Sequence, residues 1–172
     1  MTGFDIRESG PGDTAAIEAL YPEAFPEEEL RPLVRALLRE TGGVLSLIAA
    51  TERDVVGHVA FTPCSAEDAP VALLAPLAVA PAWQRRGLGS ALVRAGLERL
   101  GAAGFELVLV LGDPGYYGRL GFREEHAVAP PYPLPEAWRG TWQSLALGAK
   151  GPRPRGTLRV PPAWGDPALW RP

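Results

Sequence analysis

The stretch that decides the fold is Val71-Ala-Leu-Leu-Ala-Pro-Leu-Ala-Val79, followed by Ala80-Pro-Ala-Trp83, Gln84-Arg-Arg-Gly-Leu-Gly-Ser90 and Ala91 to Leu100. Its first part is an unbroken apolar run, short enough for a strand buried on both faces. Its last part has helical spacing: Leu88, Leu92 and Ala95 on one face, widened by Val93, Leu97 and Leu100, with Arg94, Glu98 and Arg99 opposite. Gly101 is a natural stop. Between strand and helix lies a turn with Gly87 and Gly89, preceded by Arg85 and Arg86.

A turn of this kind is suited to an anion. The first N–H groups of a helix lack internal partners and carry the positive end of the helix dipole. Glycines let the backbone approach a ligand, and two arginines add fixed charge that matches phosphate oxygens. Two familiar phosphate sites are excluded. A P-loop needs Gly-Lys followed by Ser or Thr, and Lys150 is the only lysine in the chain. The dinucleotide fingerprint needs a third small residue where this chain has Leu92.

What remains, Gln-x-x-Gly-x-Gly after a strand ending Leu77-Ala78-Val79, resembles the acetyl-CoA signature of the GCN5-related N-acetyltransferase (GNAT) superfamily. The resemblance implies that backbone amides of Gln84, Arg85, Arg86, Gly87, Leu88, Gly89 and Ser90 hold the CoA diphosphate. It also implies that the main chain of Leu77, Ala78 and Val79 meets the pantetheine arm. The implied fold is α/β: a mixed, mostly antiparallel sheet with a splayed pair of parallel central strands, flanked by helices.

A second motif strengthens the resemblance. Gly112-Asp-Pro-Gly-Tyr-Tyr-Gly-Arg-Leu-Gly-Phe122 carries the superfamily's Tyr-x-x-x-Gly-Phe spacing at Tyr117, Gly121 and Phe122. By that resemblance Tyr117 donates a proton to the departing CoA sulfur. A phenol near pKa 10 facing a thiol near 8.5 makes full transfer uphill by roughly 2 kcal/mol, so Tyr117 is better read as a hydrogen-bond donor to developing charge. Tyr116 is read as structural, and Arg119 as a weaker contact for phosphate or adenosine. No base stands out. His58 on a strand reads more readily as a core residue, His126 as solvated, and Glu52, Asp54 and Glu106 as background. Cys64 has no adjacent base to make it a nucleophile.

The whole chain is of one-domain size. It has 172 residues, 47% apolar and 22% charged, enough to bury a sizeable core. A net charge of -3 offers no basic face to nucleic acid or anionic lipid. One cysteine forms no internal disulfide and no metal spacing, so no metal is expected. The first residues lack a signal-peptide pattern and no apolar run is long enough to span a bilayer, so the expected location is cytoplasmic.

Before the decisive stretch, Phe4–Arg7 reads as a strand, Asp13 caps a helix to about Ala24, and a second helix starts near Pro26 or at Pro32. Val44–Thr51 and Val55–Thr62 form a hairpin, and Ser65–Asp68 links it to the third strand, where Pro76 predicts a bulge or splay. After it, Phe105–Leu111, Arg123–Val128 and Trp142–Leu147 read as strands. Ten of the nineteen prolines and four of the five tryptophans lie beyond Ala129. This divides the chain into an acetyltransferase domain, residues 1–147, and a Pro/Trp-rich extension, residues 148–172. Within the extension, Gly148–Arg155 and Pro161–Pro172 are expected as extended arms or loops that pack on the domain or on a partner chain, with a homodimer as one outcome.

The expected function is transfer of the acetyl group of acetyl-CoA to a primary amine of a small molecule or peptide, by direct attack in a ternary complex. The alternative is a non-catalytic acyl-CoA-binding or interaction module on the same fold.

Overall fold

A computed structural model describes residues 3–148 and 152–171, so Lys150 lies outside the described residues. The elements in chain order are β1 (Asp5–Glu8), α1 (Thr14–Ala24), α2 (Arg31–Arg39), β2 (Leu45–Ala50), β3 (Val55–Ala66), β4 (Ala69–Val79) and α3 (Leu88–Ala102). Then follow β5 (Leu107–Leu111), α4 (Pro114–Tyr117), β6 (Arg123–Glu124), β7 (Val128–Ala129), β8 (Trp142–Ala146) and β9 (Gly156–Thr157). Seven strands form a sheet in the order β1-β2-β3-β4-β5-β8-β6, and β7 pairs with β9 in a small second sheet. The β4–β5 pair is parallel, whereas β1–β2, β2–β3, β5–β8 and β6–β8 are antiparallel. This is the mixed, mostly antiparallel α/β sheet expected from the sequence.

The chain divides into two compact units. The first comprises Met1–Phe61 and Ala75–Gly96. In it α1 and α2 bury Ile17, Leu20, Tyr21 and Val34 with Ile48 and Ala78. The second helix begins at Arg31, with Pro32 in its first turn, where a missing N–H costs nothing. Of the two starts the sequence allowed, the later one is used. Asp13 does not cap α1 through its side chain; the carboxylate instead takes Arg7 at 2.8 Å and the N–H of Gly10 at 2.7 Å. Elsewhere in the first unit Gly57 and Gly96 admit close neighbours. A Cβ on Gly57 would sit 2.4 Å from Leu88, and one on Gly96 2.1 Å from Phe61.

The second unit comprises Thr62–Leu74 and Leu97–Pro172. Its ladder between β4 and β5 pairs Val71 with Leu107, Ala72 with Val108 and Leu73 with Leu109. The pairing ends at Leu73, three residues before Pro76, which has no N–H to offer a ladder. Two expectations change here. First, β3, the sheet neighbour of β4, runs on to Ala66, and Ser65 near its end exchanges backbone hydrogen bonds with Arg159 at 3.2 and 2.8 Å. The link to β4 shrinks to Glu67-Asp68, whose φ of 44° and 70° suit a tight hairpin turn. Second, the expected strand Arg123–Val128 is broken at Glu125. Its carboxylate takes the N–H groups of Ala127 and Val128 at 2.7 and 2.6 Å and turns the chain into β7.

Glu125 is buried, and burial works against its charge. The hydrogen bonds from Ser144, Val128, Arg153 and Ala127 outweigh that and hold its pKa below the usual carboxylate range. Within the described part of the extension, short regular elements lie between and within the expected arms. They are β9 and two short 3-10 turns, Pro162–Trp164 and Pro167–Trp170. Trp164 donates from Nε1 to Thr62 Oγ1 at 3.1 Å, Trp170 donates to the carbonyl of Trp164 at 3.1 Å, and both rings are buried. Buried indoles with satisfied N–H groups contribute apolar area without leaving an unpaired donor.

Candidate functional site

In the first unit, β4 delivers the chain to the glycine turn. Leu77 and Val79 are half-buried and Ala78 is buried. The N–H of Ala80, just past the end of β4, donates to the Val56 carbonyl on β3 at 2.9 Å. Pro81–Trp83 forms a single 3-10 turn, and Gln84 then folds back so that its Nε2 donates to the Val79 carbonyl at 3.0 Å. Of the strand-end groups expected to meet a pantetheine arm, the Val79 carbonyl is therefore already engaged by a side chain.

The turn itself bends through two left-handed residues, Arg85 at φ 63° and Gly87 at φ 80°. For glycine that region is free; for arginine it costs on the order of 1 kcal/mol, so the surrounding structure imposes it. The Gly87 carbonyl accepts from Ala91 at 3.0 Å and opens α3. The helix thus starts at Leu88, so Gly89 and Ser90 lie in its first turn rather than before it. Gln84, Arg85, Arg86 and Gly87 are exposed, Gly89 and Ser90 half-exposed, and Leu88 turns its side chain into the core. Leu88 therefore contributes to the turn through its backbone alone. Sequence reasoning missed Trp83, whose ring carries the guanidinium of Arg86 at 5.3 Å; an aromatic directly before Gln84 was the available signal.

In the second unit, β5 ends in Gly112 and α4 begins under an Asp113 cap, whose Oδ1 accepts from the N–H of Gly115 at 2.9 Å. Gly121, at φ 101°, terminates the following 3-10 turn, and Phe122 donates its N–H to the Tyr117 carbonyl at 3.1 Å. Tyr117 lies edge-on to Tyr116 and to Phe122, with ring centroids 4.9 and 5.5 Å apart. It covers Gly112 so closely that a Cβ there would lie 2.5 Å from the ring, a second feature the sequence reading did not weigh. The Tyr117 hydroxyl has no hydrogen-bond partner among the described residues. Burial, aided by Tyr116, pushes its pKa above the ordinary phenol value, so it is a donor at neutral pH.

The other candidates fall away. His58 is fully buried, with Nδ1 2.6 Å from the Tyr21 hydroxyl and Nε2 2.9 Å from Ser46 Oγ; burial lowers its pKa to about 3. Burial likewise raises the Cys64 thiol to about 12, so no thiolate forms at neutral pH. His126 pairs with Glu124 on the surface at 2.8 Å. Arg119 spends its Nε on the Gly115 carbonyl at 3.1 Å. Glu52 and Asp54 are exposed on the β2–β3 loop, and Glu106 is half-buried just before β5. Among the described residues no group of three His, Cys, Asp or Glu could hold a metal, and no helix is long and apolar enough to cross a membrane.

Both motifs fall within residues 14–122, the span that matches the acetyltransferase (GNAT) family. The chain belongs to the GNAT acetyltransferase family. It is 35% identical over 156 residues to the uncharacterized N-acetyltransferase YjhQ of Escherichia coli (strain K12), covering 86% of each chain. The crystal structure of the GNAT family N-acetyltransferase YhbS from Escherichia coli, in complex with CoA, superposes with a TM-score of 0.84 at 28% identity, covering 95% of this chain and 92% of that one. A GNAT family acetyltransferase from Brucella melitensis, in complex with acetyl-CoA, gives 0.76 at 31% identity, covering 95% and 99%. As a GNAT member the chain is an acyltransferase, as its two motifs implied.

Proposed function

We propose that this protein transfers the acetyl group of acetyl-CoA to a primary amine of a small molecule or peptide, by direct attack within a ternary complex in the cytoplasm. In this reading residues 1–147 form the catalytic domain and residues 148–172 an extension of it. The backbone from Gln84 to Ser90 receives the diphosphate, and the main chain of Leu77–Val79 aligns the pantetheine arm. Tyr117 donates a hydrogen bond to the sulfur as the thioester breaks.

The observation that carries the reading is the turn. Two left-handed residues two apart bend the chain at the mouth of a 15-residue helix, where N–H groups and the helix dipole favour an anion. The free Tyr117 hydroxyl supports the second half. The thioester carbonyl carbon would bond to the amine nitrogen as the carbon–sulfur bond breaks, and the amine's surplus proton would pass to water. His58, being buried and already bonded at both nitrogens, is a poor base.

The test is a thiol-release assay with acetyl-CoA against amino acids, polyamines, aminoglycosides and peptide N-termini, beside calorimetry with CoA. Acceptor-dependent release supports the transferase. Tight CoA binding with no acceptor turned over supports the binding module instead. Absence of CoA binding ends both.

A further inference from the structure

Trp83 is placed where the glycine turn meets the N-terminal segment. Its ring lies edge-on to Phe4, with centroids 6.1 Å apart and planes at 89°. The backbone of Gly3, at φ 78°, comes close enough that a Cβ there would be 3.4 Å from the indole. The guanidinium of Arg86 lies over the ring at 5.3 Å. Four consecutive residues of the turn therefore divide their work. Gln84 closes the turn onto Val79, Arg85 bends it, Gly87 opens the helix, and Arg86 alone sends its side chain onto a braced aromatic surface.

We infer that Trp83 is a positioning residue for coenzyme binding: braced by Phe4, it holds the Arg86 guanidinium ordered beside the turn, ready for the coenzyme's phosphates. The inference rests on the proposed role of the turn. An arginine side chain free in water loses roughly 2 kcal/mol of rotamer entropy when it is fixed on a ligand. Stacking on a rigid indole settles part of that loss before the ligand arrives. Arg85, exposed and without an aromatic ring beneath it among the described residues, receives no such help.

The experiment is a double-mutant cycle read by calorimetry with CoA. Trp83→Leu keeps apolar bulk against Phe4 but removes the π face; Arg86→Ala removes the charge. A cation–π contact at an exposed site corresponds to about a three-fold change in affinity, so Trp83→Leu should weaken CoA binding by about that factor. In the Arg86→Ala background the same substitution should change nothing, and Trp83→Phe should restore most of the loss. Thermal midpoints of the variants record any general damage separately. Losses that multiply in the double variant, or a Trp83→Leu protein with wild-type affinity, overturn the inference while leaving the turn's role intact. A wild-type protein that does not bind CoA overturns the role of the turn itself.

Discussion

Gly57 on β3 faces Leu88, the first residue of α3, and a Cβ on Gly57 would lie 2.4 Å from Leu88 Cδ2 and 2.9 Å from Leu92 Cδ1. The helix that follows the glycine turn therefore rests on a strand position with no side chain. Gly57→Ala must displace Leu88, and overpacking of this kind costs about 1–3 kcal/mol. Because Leu88 opens the helix, the same displacement reaches the turn. Urea unfolding should show the lost stability and calorimetry a weaker CoA complex; unchanged values in both would mean the helix yields without strain.

Tyr117→Phe removes a hydroxyl that the described protein does not use internally. Folding stability should stay within about 0.5 kcal/mol of wild type, as for a side chain changed away from any network. Turnover with an identified acceptor should fall about 100-fold, at the low end of what removing one transition-state donor costs. CoA affinity should hold. A drop in affinity with turnover preserved would assign Tyr117 to ground-state binding instead.

Arg85→Gly separates conformation from charge. Relief of the left-handed arginine should raise stability by up to about 1 kcal/mol, offset in part by the extra freedom glycine gives the unfolded chain. Loss of the guanidinium should weaken CoA binding, more at low salt than at high. Thermal unfolding and calorimetry at two ionic strengths read the two effects apart. An Arg85→Gly protein that is clearly less stable would show that the arginine holds the turn by contacts rather than under strain.

His58 makes stability depend on pH. Unfolded, it titrates near 6.5; folded, burial lowers it to about 3. Its contribution is therefore complete above pH 6.5 and is lost as the pH falls toward 3, because only the unfolded chain takes up the proton in between. One proton contributes a slope of about 1.4 kcal/mol per pH unit. His58→Gln should remove that slope between pH 6 and 4 even though it disturbs the bonds to Tyr21 and Ser46. Parallel curves for the two proteins would refute the assignment.

Much of the candidate site is legible in the sequence. The apolar run to Val79, the glycine turn and the amphipathic helix are local patterns, as is the Tyr117–Phe122 motif, whose helix carries its own Asp113 cap and left-handed Gly121 stop. Boundaries were less legible. β3 extends past Thr62 alongside β4, with Ser65 bonded to Arg159, 94 residues later, and the strand after Phe122 stops at Glu125 because that carboxylate captures two nearby N–H groups while Ser144 and Arg153 hold its other oxygen.

By itself the sequence determined the order of the main elements, the glycine turn between β4 and α3, and the family, because periodicity, glycine placement and motif spacing act over a few residues. Only the tertiary structure decided that His58 is neutral and enclosed, that Arg86 lies on Trp83, and that Tyr117 keeps an uncommitted hydroxyl. Each of these depends on what distant segments bring to a side chain, and desolvation and contact are properties of the packed chain.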